Sequence, residues 1–210
     1  MYGKYVNALL CAFAMLTGCS ASSFDRGTEY YLQHDFAAAR PLLEQSCAKG
    51  NAEGCSLLGV MELQGQGGPQ NDIRARQLFN QACNKGEPSG CSNLGYMMLV
   101  GRGGSKDEAR SRALQERACN SGYVQGCSNL AAMTSAGVGG PGDLAHARQI
   151  LERACNDGNA LGCFNFGNAL ERGDGGPKDE ARARAAYDQA CKGGHASGCR
   201  NLKRMDETAN

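Results

Sequence analysis

The chain has no tryptophan and only 7 tyrosines and 6 phenylalanines in 210 residues. So little aromatic surface excludes a core built on large flat side chains, and burial per residue is modest. Excess charge is missing too. The formal net charge is +1, and once Lys4 is set aside the basic and acidic residues balance. That argues against a nucleic-acid partner, whose phosphates select a basic surface. Histidine is scarce: His34, His146 and His195 stand apart, with no His-x-His or His-Glu-x-x-His. A catalytic metal site has nothing to grow from, and all three histidines read as exposed loop or helix-surface residues. The mostly apolar run from Val6 to Leu16 is too short to span a bilayer as a mature helix.

What the chain does have is glycine and cysteine, 30 and 12 residues respectively. The amino-terminal stretch, with Lys4 ahead of the Val6–Leu16 run, has the shape of a secretory signal rather than of a folded element. It ends in Leu16-Thr17-Gly18-Cys19, which resembles the lipobox of bacterial lipoproteins. The resemblance implies cleavage after residue 18, acylation of Cys19 as a membrane anchor, and a short lipidated linker over residues 19–23. With Ser20 and no Asp after the cysteine, it further implies an outer-membrane lipoprotein facing the periplasm, or a secreted protein if the lipobox is unused.

Cys11 leaves with the signal and Cys19 takes the lipid, so an even set remains. It falls into five pairs: Cys47 with Cys55, Cys83 with Cys91, Cys119 with Cys127, Cys155 with Cys163, and Cys191 with Cys199. The members of each pair are eight residues apart, and the pairs recur every 36. An even set at fixed spacing in an exported chain reads as a disulfide framework. Zinc is the rival, but structural zinc sites favour shorter Cys-x-x-Cys-type turns, and no histidine accompanies the pairs.

The same period runs through the whole sequence. Full units start at Gly54, Gly90, Gly126 and Gly162 without insertion, an incomplete unit covers about 24–53, and a truncated cap covers 198–210. Each unit holds two helical stretches. In the second, Ala75, Leu78, Phe79 and Ala82 share one face at i, i+3, i+4 and i+7. Asp35, Asn71, Asp107, Asp143 and Asp179 mark its start as N-caps, and Gly50, Gly86, Gly122, Gly158 and Gly194 mark its end. Pro41 removes one backbone bond from the first of these helices and is expected to kink it. The first helix of each unit is expected to begin near the Gly-Cys pair and to stop at Gly65, Gly101, Gly137 or Gly173. A Gly-x-Gly-Gly loop follows. It trails a helix and lacks Lys-Ser/Thr, so it reads as turn geometry rather than a phosphate cradle, and no cofactor is called for.

Gly-Cys-x-x-Leu-Gly, then Gly-x-Gly-Gly, then Ala-Cys, together with Cys-x7-Cys, resembles the Sel-1-like repeat in its bacterial cysteine-rich, Hcp-type branch. The likeness covers about Phe24 to Asn210. It implies an all-α fold, a right-handed superhelical solenoid of antiparallel helix pairs with a concave surface that binds proteins or peptides. Some cysteine-rich members are described as weak penicillin-binding or β-lactamase proteins. The residues give that alternative no site. Ser46-Cys47-Ala48-Lys49 has the Ser-x-x-Lys spacing, but Ser-Asp-Asn and Lys-Thr-Gly are missing, and Ser46 stands where other units have Ala82, Ala118, Ala154 and Ala190.

Two ladders remain. Arg40, Arg76, Arg112, Arg148 and Arg184 recur at one position, most with an acid four residues away. They read as helix-surface ion pairs, the alternative being a carboxylate-gripping row. Asn93, Asn129, Asn165 and Asn201 recur in the first helices although Asn is a mediocre helix former. They either tie a neighbouring Gly-rich loop or point into the concave face as ligand contacts.

Overall fold

The computed structural model describes residues 21–208; the signal, the lipobox and Cys19 lie outside the described residues. Eleven helices and no strand are found among them. They are α1 Ser23–Leu32, α2 Phe36–Ala48, α3 Ala52–Gln64, α4 Asp72–Asn84, α5 Pro88–Val100, α6 Glu108–Asn120, α7 Val124–Ala136, α8 Leu144–Asn156, α9 Ala160–Arg172, α10 Glu180–Lys192 and α11 Ala196–Thr208. Odd-numbered helices are the first (A) helices of each pair, even-numbered ones the second (B).

The B helices start and stop where the caps place them. The Asp35, Asn71, Asp107, Asp143 and Asp179 side chains accept the backbone N–H three residues on at 2.9–3.1 Å. Past each end, Gly50, Gly86, Gly122, Gly158 and Gly194 take φ between +79° and +92°, the left-handed region that glycine enters without penalty. Before the incomplete unit's B helix, His34 takes that role with φ +61°. The A helices begin two residues earlier than the Gly-Cys pair suggests, because Asn51, Glu87 and Asn159 cap them from further upstream. Pro41 does not break α2, which is continuous from Phe36 to Ala48.

Packing follows from size matching. The large B-helix residues Phe79, Gln115 and Tyr187 press on small A-helix positions, and a Cβ on Gly59, Gly95 or Gly167 would lie 2.6–2.9 Å from them. Where α3, α5, α7, α9 and α11 leave the preceding B helix, the approach is equally close. A Cβ at Gly54, Gly90, Gly126, Gly162 or Gly198 would fall 2.6–2.8 Å from Ser46, Ala82, Ala118, Ala154 or Ala190.

That contact puts each cysteine pair in bonding range, and all five expected disulfides are formed. Cys47 bonds Cys55, joining α2 to α3, with Cα–Cα 4.5 Å. Cys83 bonds Cys91 from α4 to α5 at 4.5 Å, and Cys119 bonds Cys127 from α6 to α7 at 4.4 Å. Cys155 bonds Cys163 from α8 to α9 at 4.2 Å, and Cys191 bonds Cys199 from α10 to α11 at 4.5 Å. Each bond therefore ties the end of a B helix to the first turn of the next A helix. Closing a nine-residue loop this way stabilises by about 2.5 kcal/mol in the chain-entropy picture.

A helices of successive units touch one another directly, while no two B helices of successive units do so to the same degree. Long polar side chains span the B-helix gaps instead: Arg74 to Glu44 at 2.8 Å, Arg153 to Asn120 at 2.9 Å, Arg182 to Glu152 at 2.5 Å. Closer spacing on one side means the A helices line the inner, tighter curve of the array.

Candidate functional site

The inner face carries the asparagine ladder. All four residues are half-buried, and Asn129, Asn165 and Asn201 connect neighbouring helices rather than loops. Asn165 donates to Ser128 Oγ at 3.3 Å, from α9 to α7, and Asn201 donates to Asn168 Oδ1 at 3.3 Å, from α11 to α9. Asn129 accepts from Gln125 at 3.0 Å and donates to Gln115 Oε1 at 3.4 Å. Asn93 occupies the equivalent place on α5. The expected tie to the Gly-rich loops is therefore not made by asparagine.

Arginine makes it. Arg76 donates to the Ser105 carbonyl at 3.1 Å, Arg112 to the Pro141 carbonyl at 3.1 Å, and Arg148 to the Pro177 carbonyl at 3.1 Å. Each guanidinium holds the Gly-rich loop of the following unit, and the loop glycines leave room for it. A Cβ at Gly104, Gly140 or Gly176 would lie 2.6–2.7 Å from the matching arginine nitrogen. The helix-surface pairs expected for this row are mostly not formed; Arg40–Glu44, at 3.6 Å, is the one present among the described residues. Charge spacing along one helix suggested i,i+4 pairs. The real partner is a carbonyl 29 residues away, and the one signal for it was that the arginine and the Gly-rich loop recur together.

Between α7 and α9 the inner face opens into a cleft of about 250 Å³, lined among others by Ser128, Ser135, Asn165, Asn168, Arg172 and Asp174. Its polar groups come from α7, from α9 and the loop after it, and from Arg148 of α8, with Ala131, Leu151 and Ala169 between them. Beyond the cleft lies a second polar group. The Tyr187 hydroxyl donates toward Glu171 Oε2 at 2.7 Å, with Asn168 Oδ1 at 2.8 Å, and Arg204 donates to Glu171 Oε1 at 2.6 Å. Burial, and then the Glu171 carboxylate, push the Tyr187 phenol up to about 12. Burial works against the charge on Glu171, but Tyr187 and Arg204 outweigh it and hold that carboxyl below its usual range.

Ser46 is 2% exposed. With Gly54 packed against its hydroxyl, it cannot present a nucleophile to solvent. His34 and His146 are exposed as expected, but His195 is not: it is half-buried, stacks on Phe164 with centroids 4.6 Å apart, and accepts the Gly198 N–H at 3.3 Å as a cap on α11. No group of three or more potential metal ligands occurs among the described residues.

The fold and its face define a class, a disulfide-stapled α/α solenoid. The Sel1 repeat family pattern matches residues 52–87, 88–123, 124–159 and 160–195, each segment one A helix and its B helix, and the chain belongs to that family. A protective antigen of uropathogenic Escherichia coli displaying an SLR fold aligns over 89% of this chain with a TM-score of 0.76 at 23% identity; the chain spans 41% of that protein's length. A Sel1 repeat protein from Oxalobacter formigenes aligns over 90% of this chain and 76% of its own, with a TM-score of 0.75 at 23% identity. Cysteine-rich protein B of Helicobacter pylori aligns over 62% of this chain and 95% of its own, with a TM-score of 0.50 at 26% identity. No curated protein matches the sequence. Five disulfides mark an oxidising, extracytoplasmic compartment. Among the described residues no helix is long and apolar enough to cross a membrane.

Proposed function

We propose that the chain is a cell-envelope scaffold, anchored through an acylated Cys19 at the outer membrane, whose inner A-helix face binds a protein or peptide. The observation that carries this reading is the α7–α9 cleft. Its Ser128, Asn165, Asn168 and Arg172 side chains offer donors and acceptors at one-turn spacing along a rigid wall. Such a row suits the repeating carbonyl and N–H groups of an extended peptide, and the staples hold it pre-organised, which lowers the entropy lost on binding.

The test is capture from envelope extracts by the oxidised chain carrying Cys19→Ser, followed by a titration of whatever is captured. A saturable partner whose affinity falls about thirtyfold when Asn165→Ala and Asn168→Ala are combined supports the reading, each lost hydrogen bond costing about 1 kcal/mol. Failure to retain any saturable partner, or retention indifferent to the inner face, contradicts it. Incorporation of labelled fatty acid into the full chain, lost in Cys19→Ser, tests the anchor separately.

A further inference from the structure

The outer face carries a feature visible when units are laid over one another. In the first full unit Glu62, 1% exposed, is clamped between the Arg40 and Arg74 guanidiniums, the latter at 3.1 Å. At the other end Asp206 occupies the same repeat position and meets Arg184. The three intervening units keep the arginine and change the acid, to Met98, Thr134 and Leu170. Met98 and Leu170 are long enough to fill the place with apolar atoms, and both are buried.

Thr134 is not. It is 1% exposed, yet its hydroxyl oxygen has no hydrogen-bond partner, a costly condition for a buried polar atom. It lines a cavity of about 460 Å³ between α6 and α8, floored by Leu130 and Ile150 and walled by Arg112, His146 and Arg153. Arg112 stands where Arg40 stands, and His146 where Arg74 stands. The lining also includes Glu116, in the place of Glu44, so the two guanidiniums exceed the carboxylates by one charge.

We propose that this outer cavity is a carboxylate-binding site. A ligand carboxylate takes the place that Glu62 fills within its own unit, its oxygens meeting Arg112 and the Thr134 hydroxyl, its short apolar stem lying on Leu130 and Ile150. The apolar floor and the single excess charge select a monocarboxylate over a more highly charged anion. The carboxylate belongs either to a free small acid or to an acidic side chain of a partner, and the site is independent of the inner-face reading.

The test is NMR titration of the oxidised chain with propionate, with a short peptide bearing one central glutamate, and with inorganic phosphate. Saturable shifts at Thr134, His146 and Ile150 are expected. Propionate alone acting identifies a free acid, and the peptide acting as well identifies an acidic segment. Thr134→Glu supplies the carboxylate in place and is expected to abolish the shifts, and Thr134→Val to weaken binding several-fold. No saturable shift with either carboxylate, undiminished binding by Thr134→Glu, or phosphate binding as well as propionate would each overturn the assignment.

Discussion

The unit spanning 52–87 and the unit spanning 124–159 share one frame and differ in what fills it. Both have a capped B helix, a Gly-rich loop held from the preceding unit by arginine, and a cysteine staple at each end. In the first, Phe79 is fully buried over Gly59 and Glu62 is clamped by two arginines. In the second, Leu151 takes Phe79's place but is half-buried, and Thr134 takes Glu62's place beside a cavity. No aromatic residue belongs to the core cluster around α7 and α8. What recurs in every unit sets the arc; what varies between units sets the grooves and the local firmness.

The largest expected effect lies in the well-filled unit. Phe79→Ala should lower unfolding free energy by about 4 kcal/mol in urea, while Leu151→Ala, from the half-buried equivalent, should cost about 2 kcal/mol. Equal costs would mean that the two cores are not differently packed. Next comes the staple. Replacing Cys119 and Cys127 together by serine should cost about 2.5 kcal/mol, and hydrogen exchange should show α7 and α8 opening before α3 and α4. Glu62→Gln strands two guanidiniums around a neutral group and should cost about 2 kcal/mol; a neutral result would show that the clamp is not a distinguishing feature of its unit.

The smallest effect is confined to alkaline pH. Because the folded Tyr187 phenol titrates near 12 rather than its ordinary 10.0, its contribution is complete below pH 10 and is lost as pH rises through the folded value. Thermal melts between pH 9 and pH 12 should fall more steeply in the native chain than in Tyr187→Phe.

The fold was legible because its devices are local and repeat. Asp107 and Gly122 mark helix ends through their own backbone neighbours, and Cys119 and Cys127 meet because a small residue and a glycine sit beside them. The same local rule brings Cys55, Cys91, Cys163 and Cys199 to their partners, each one residue after the glycine that allows the close approach. The site was less legible because its contacts cross between units. Arg112 looked like a partner for Glu116 but reaches Pro141, and Asn165 looked able to hold a loop but reaches Ser128. His195 was misplaced on the surface because stacking on Phe164 depends on how the end of α10 folds back on α9 within one unit. The amino-terminal reading of Cys19 rests on residues outside the described part of the chain.

The central claim is that covalent staples, more than the thin cores, keep successive helix pairs at a fixed angle. Small-angle scattering and thermal melting of the chain before and after full disulfide reduction test it most directly. The account predicts a larger radius of gyration and a markedly lower, broader melt on reduction. An unchanged radius and melting point would contradict it.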